Sequence, residues 1–474
     1  MAVNRSSGRC WIPASALALA TLLGSCIASH DEHPLDILRQ PTGLAISPGG
    51  KMLFVSNGDW DRRYETGTLV ALDLSRLDAG IEQPLPPGTH VSGGRPCRRT
   101  ADLRRVECDP RLLINAQSTV RIGSGAGNIA IDRPGGDHGP LRLLVPSRHA
   151  ADLTWIDVRG ADEGELELEC GAGATRHCDS DHILTNLHRD PARILVDSQG
   201  YRYAYLPHLS EGQMSLIDLD GESGPELVRV FEEFFAEDQL FDSGLRGGFS
   251  VAQRPCDPER RMPADSRECT RPYLHASQRY YPAIRPFVVD PGNAIVRPRS
   301  SYCLQGRSDT GACAHGSYED AVHARPIVAD LEFVDPQIGD TLLAVSTTPP
   351  SLTVVDTSVD EHGALINERL SSIPICNNPN LLEIHRPDDG TWLAFVACYA
   401  VAEVVAVSLA HFSIVATLHL GAGANEMLID SEREHLYVAN TVEDTISIVE
   451  LDSLSPRYLQ EIAVLGLNTR REET

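Results

Sequence analysis

Cysteine is the residue type whose number and spacing most directly imply chemistry in this chain. Twelve occur; Cys10 lies within an N-terminal apolar stretch and Cys26 closes it. The other ten fall into near-neighbour pairs: Cys97/Cys108, Cys170/Cys178, Cys256/Cys269, Cys303/Cys313 and Cys376/Cys398. An even set after export implies disulfides, because exported compartments are oxidising. Zinc is the rival reading, but no C-x-x-C occurs and the spacings are irregular. C-x-x-C-H is absent as well, which excludes covalent c-type haem. Two other clusters carry metal-ligating types. His177 to His182 reads HCDSDH, which is equally what an exposed disulfide loop looks like. His30 to His33 reads HDEH in a tether-like stretch, where a metal would lack a supporting shell. Neither is assigned a metal, and no cofactor is expected. The nucleophile elbow G-x-S-x-G, the zinc motif H-E-x-x-H and a P-loop are all missing.

The elements that must position these residues begin with an address. Arg5 and Arg9 precede an apolar run, Trp11–Leu23, too short to cross a bilayer as a helix. The run ends in Leu23-Gly24-Ser25-Cys26, which resembles a bacterial lipobox. That resemblance implies cleavage before Cys26, acylation of its thiol and a lipid anchor in the membrane. The alternative is an ordinary secretory signal cut near Ala28. The expected division is a signal peptide over 1–25, a lipidated tether with one strand-like run (Pro34–Arg39) over 26–40, a single domain over 41–466 and a tail over 467–474. Ile27 is not the acidic residue that retains many enterobacterial lipoproteins inside, so the expected location is the cell envelope at the outer membrane, on its periplasmic or surface face. The formal charge of −25, with Lys51 the sole lysine, argues against non-specific nucleic-acid binding. An envelope protein or a small molecule is the partner class that remains.

The domain is built from one repeating unit, most legible in GAGANEMLIDSEREHLYVANTVEDTISIVELDSLSPRYLQEIAVLG at 421–466. Met427–Asp430, His435–Ala439, Thr445–Glu450 and Tyr458–Leu465 read as four short strands bounded by turn formers. They are too closely spaced for crossover helices, so an antiparallel meander is expected. Such a sheet needs neighbours of its own kind. The pattern recurs from Gly43 onward, with a Pro-, Gly- and Arg-rich insertion before the fourth strand of the first unit. Residues 247–325 are the divergent part. Asp73, Asp157, Asp218, Asp356 and Glu450 each close a third strand, which reads as turn capping by a carboxylate. Asn57 and Asn440 end second strands, where a left-handed turn residue is expected.

LYVAN followed by TISIVELD closely resembles the YVTN-type β-propeller repeat. The resemblance implies an all-β fold, a β-propeller; counting the recurring units gives seven blades of four antiparallel strands, with six or eight the alternatives because of residues 247–325, and the cysteine pairs fall in loop insertions. It also implies that the first strand of each blade is innermost and that function sits at the channel mouth. Aligning blades on their first strands places Gly43, Asn128, Arg193, Leu331, Leu381 and Glu426 there, and the second-to-third-strand loops add Asp59, Trp60, Asp61, Arg148, His149, His208 and Tyr399. The candidate ligand site is therefore Asn128, Arg193, Glu426, His208 and Asp59. Two functions compete. One is a non-catalytic binding or scaffold module displayed by a lipid anchor. The other is a lactonase-like hydrolase, which needs a base and an electrophile stabiliser within reach, such as Glu426 with Arg193 or His208. One pair carries a further expectation: Cys376 ends the fifth blade and Cys398 the second strand of the sixth, so their bridge should staple neighbouring blades.

Overall fold

Seven sheets, each a meander of four antiparallel strands, follow one another along the chain in a computed structural model. The structure describes residues 32–466 except 102, 137–138, 233, 236–246, 258, 260–261, 265–268, 280–282, 305–327, 336–338 and 388. This is the expected seven-bladed β-propeller. Blade 1 comprises Pro41–Ile46, Met52–Asn57, Gly67–Asp73 and Val120–Ile122. Blade 7 comprises Ala424–Asp430, His435–Asn440, Thr445–Glu450 and Glu461–Leu465. The divergent stretch does form blade 4, from Gly248–Gln253, Tyr273–Gln278, Ala283–Asp290 and Ile295–Pro298, with Tyr302–Cys303 added on the third strand.

The middle strands of every blade are apolar runs because both of their faces are covered. Successive side chains of a strand point to opposite faces, and here each face belongs to a different neighbour. Leu53 packs into the core shared with blade 7, and Phe54, next along, into the core shared with blade 2. Leu143 and Leu144 of blade 2 divide in the same way between blades 1 and 3. Leu342 and Leu343 of blade 5 do so between blades 4 and 6. One apolar cluster therefore fills each of the seven interfaces. Each buried Leu or Phe contributes roughly 1.5–3 kcal/mol by leaving water.

Ring closure is unusual in its parts. The four meander strands of blade 1 are all N-terminal and those of blade 7 all C-terminal, so neither meander borrows a strand across the junction. Instead, the long insertion of blade 1 reaches over it. Leu74–Glu82 forms a helix capped by Asp73, whose carboxylate accepts from the Arg76 N–H at 3.0 Å. The chain then makes a hairpin, Cys97–Arg99 with Val106–Cys108, that adds to the outer edge of blade 7. Val106–Cys108 runs parallel to Ala463–Leu465, and the Cys97–Cys108 bridge holds the hairpin with Cα atoms 4.0 Å apart. Arg433 meets Asp78 at 2.9 Å, and Thr441 Oγ1 donates to the Pro41 carbonyl at 2.6 Å.

Cys170–Cys178 and Cys256–Cys269 also pair as proximity suggested, and Cys376–Cys398 joins blade 5 to blade 6 as expected. Cys313, the partner proposed for Cys303, lies outside the described residues, as do Cys26, the signal, most of the tether and the tail after 466. Three expectations need correction. Pro34–Arg39 is not a strand; it is tied down by side chains rather than by a ladder. Asn57 and Asn440 are not left-handed turn residues: both are buried strand ends whose amides donate to hydroxyls, Asn57 to Thr68 at 2.8 Å and Asn440 to Ser447 at 2.9 Å. Asp73, Asp218, Asp356 and Glu450 accept from backbone N–H groups two or three residues on, but Asp157 turns aside to pair with Arg142 at 2.7 Å.

If the hairpin is the clasp, a Cys97→Ala/Cys108→Ala protein should lose about 2–4 kcal/mol of stability. Amide exchange should then rise first in 461–465, and wild-type exchange there would show that closure rests on the apolar core alone.

Candidate functional site

At the channel mouth the innermost strands do not run straight. The first strands of blades 1, 4, 5, 6 and 7 all shift register shortly after they begin, between Pro41/Gly43, Gly248/Val251, Val328/Asp330, Pro379/Leu381 and Ala424/Glu426. A bulge leaves a residue unpaired and re-aims it. Of the skipped residues, Phe249, Ala329, Asn380 and Asn425 line one cavity of about 270 Å³. Arg148, Arg279, Thr347, Asn378 and Tyr399 complete its wall. Asn380 Nδ2 donates to the Ala424 carbonyl at 3.1 Å, while its Oδ1 is buried without a hydrogen-bond partner. The cavity is thus lined by amides, a phenol and two guanidinium groups, with Phe249 as its one aromatic apolar surface.

The same bulges correct the blade alignment. The residue of blade 5 equivalent to Gly43, Leu381 and Glu426 is Asp330, not Leu331. Asp330 receives the N–H groups of Leu331 (2.9 Å) and Leu382 (3.0 Å), which ties blade 5 to blade 6. Asn128 does the same for blades 2 and 3: its amide donates to the Ile194 carbonyl at 3.1 Å and accepts from the Ile194 N–H at 3.0 Å. Gly43 is required at its position, because a Cβ there would sit 2.5 Å from the Gly127 carbonyl oxygen of blade 2. These residues stitch inner strands together.

Arg193 and Glu426 do converge, from blades 3 and 7. Two bonds of 3.1 Å join guanidinium and carboxylate side by side. Burial works against the charge on Arg193, yet Glu426 and Asp330 hold its pKa above the ordinary value. Glu426 is itself raised by burial, with Arg193 opposing. Around this pair lie further channel carboxylates that were not singled out in the sequence. Glu332 pairs with Arg386 at 2.7 Å, and burial nevertheless pushes its pKa up to about 7. Glu383 is raised well above the carboxylate range by burial first and by Glu332 and Glu426 next. Their only sequence signal was placement in two consecutive first strands.

His208 and Asp59 do not join this group. His208 is fully buried in blade 3, with Nε2 2.8 Å from Ser215 Oγ and Nδ1 3.2 Å from the Arg189 carbonyl. Burial lowers its pKa to about 4. Asp59 is buried in the loop after Asn57 and accepts from the Tyr64 N–H at 3.1 Å, with burial raising its pKa to about 6. Nearby, Arg148 stacks over Trp60 at 5.0 Å and pairs with Asp190, and His149 meets the same indole edge-on at 5.0 Å. Asp61 pairs with Arg39 at 2.6 Å. In the HCDSDH loop, Asp179 accepts from the Asp181 N–H and lies 2.8 Å from His182 Nδ1. His33 of the HDEH stretch is buried against Tyr64.

No family model matches the chain, and no curated protein does. Several solved structures are similar in shape. Hydrazine synthase from Kuenenia stuttgartiensis matches with 13% identity over 90% of this chain and 99% of its own, with a TM-score of 0.48. A proposed 6-phosphogluconolactonase from Bacteroides uniformis matches with 13% identity over 89% and 94%, with a TM-score of 0.47. Virginiamycin B lyase from Staphylococcus aureus matches with 10% identity over 86% and 94%, with a TM-score of 0.45. At these values the likenesses bear on neither ligand nor activity.

Two outcomes are expected. Arg193→Met leaves Glu426 buried and unpaired, so it should cost roughly 3–5 kcal/mol, and a second change, Glu426→Gln, should restore much of that; equal losses in single and double variants would deny the coupling. His208 is held neutral in the fold, so the unfolded chain binds its proton first as pH falls. Stability should therefore decline from pH 6.5 towards pH 4, and a His208→Gln protein should show a shallower slope in denaturant titrations across that range.

Proposed function

We propose that this chain is a binding module held at a bacterial cell envelope by a lipid on Cys26, with a small polar ligand seated in the channel-mouth cavity. The observation that carries this reading is the cavity wall itself, where amides of Asn378, Asn380 and Asn425 face the same space as Arg148, Arg279 and the Tyr399 hydroxyl-bearing ring. Amides and guanidinium groups suit a hydroxylated anion, and the unpartnered Asn380 Oδ1 suits a ligand O–H or N–H. The lipobox at Leu23–Cys26 supports the anchor, and the closed cysteine pairs agree with an oxidising compartment. Ile27 after the cysteine favours the outer membrane. The repeat pattern supports affinity with YVTN-type propellers.

A hydrolase at this mouth would need a carboxylate or imidazole free to take a proton. Glu426 has both oxygens on Arg193, and His208 is bonded elsewhere. The base and stabiliser named for that reading are thus engaged within the fold, and binding is the reading adopted.

A thermal-shift and calorimetric screen with hydroxycarboxylates such as gluconate should find a saturable rise in Tm. Asn380→Ala and Tyr399→Phe should weaken it at least several-fold. A response that these variants leave unchanged would move the site away from the mouth.

A further inference from the structure

The chain enters the propeller on the face that carries the cavity. His33 is buried against Tyr64, with ring centroids 4.6 Å apart, and Tyr64 belongs to the loop between second and third strands of blade 1. The His33 carbonyl accepts from Arg121 at 3.0 Å, one residue before the outer strand of blade 1 ends at the mouth face. The segment then crosses that face. The Ile37 carbonyl accepts from Asn57 at 3.2 Å, and Arg39 pairs with Asp61 and with Asp444 of blade 7 before the chain turns into the inner strand at Pro41. Whatever precedes Glu32 departs from the rim of the mouth face.

We propose that the mouth face lies against the lipid bilayer, so that the cavity opens towards the membrane surface. This rests on the reading of Cys26 as the lipid-bearing residue. From Cys26 to His33 there are seven peptide steps, which reach at most about 25 Å when fully extended. Strands of six or seven residues make the blades about 20 Å deep. A tether led round to the opposite face would spend nearly all its reach on that depth, before clearing the loops that project there. The mouth face also carries two exposed apolar side chains. Val401 and Val442 are 37% and 56% exposed in the second-to-third-strand loops of blades 6 and 7. Arg62 and Arg63 are exposed in the same loop of blade 1 beside exposed Asp61 and Glu65, so charge there is balanced and the valines are the apolar contact. Leu454, 91% exposed, lies on the opposite face after the third strand of blade 7, and Val415, 51% exposed, lies on the outer edge of blade 6.

The test uses the full acylated chain in vesicles of phosphatidylethanolamine and phosphatidylglycerol with a headgroup-bound fluorescence acceptor. Single donors are attached without reductant at Val442→Cys, Leu454→Cys and Val415→Cys. Energy transfer should be strongest from position 442 and weakest from 454. Transfer from 454 or 415 equal to or above that from 442 overturns the orientation. Amide exchange gives a second measure that needs no new cysteine: 399–402 and 441–444 should slow in vesicles relative to soluble Cys26→Ser protein, while 452–456 should not change. Equal protection of both faces, or of neither, overturns it too. An unacylated wild-type chain, seen by intact mass, brings down the anchor and the orientation together; an acylated chain with the wrong ranking brings down the orientation alone.

Discussion

A propeller is a linear chain that must become a ring, and everything else in this molecule depends on the junction where its first and last blades meet. Each blade covers its faces with its neighbours, so an open ring would expose two apolar sheet faces at once. Here neither terminal blade borrows one of its four meander strands from the other end of the chain. The junction is closed by the Leu53–Tyr437 core, by the cystine-held hairpin that blade 1 lays on blade 7, and by contacts of Arg39, Asp78 and Thr441 across the seam. The insertion that interrupts blade 1 is therefore part of blade 7 in space. Its length is explained by that reach.

Closure also sets the character of the channel. Seven inner strands converging on one axis bring their polar side chains together, and burial there raises Glu332, Glu383 and Glu426 above ordinary carboxylates. Arg193 and Arg386 offset part of this charge by direct pairing. The channel is thus braced by ion pairs, while the cavity lies above it, where the bulged residues contribute two amides, a phenyl ring and a methyl group. Bracing and cavity lining occupy successive levels of the same strands: Asn425 faces the cavity and Glu426, next to it, holds Arg193.

The sequence by itself determined the repeat and the pairing in the four bridges that the structure describes, and pointed to seven blades, because these depend on local order: apolar runs of strand length, turn formers between them and short loops between paired thiols. The staple from Cys376 to Cys398 was legible for the same reason, since chain direction in a meander fixes which strand ends share a face. What only the tertiary structure decided depends on distances between blades. No local pattern reveals that Arg193 and Glu426, 233 residues apart, meet across the channel, or that His208 turns inward to Ser215. Nor does strand periodicity reveal a bulge, which inserts one residue without altering composition; that single residue moved the blade 5 position from Leu331 to Asp330 and brought Asn380 and Asn425 to the cavity. Local sequence specifies the blades, and the close packing of their inner edges selects which side chains face the shared space.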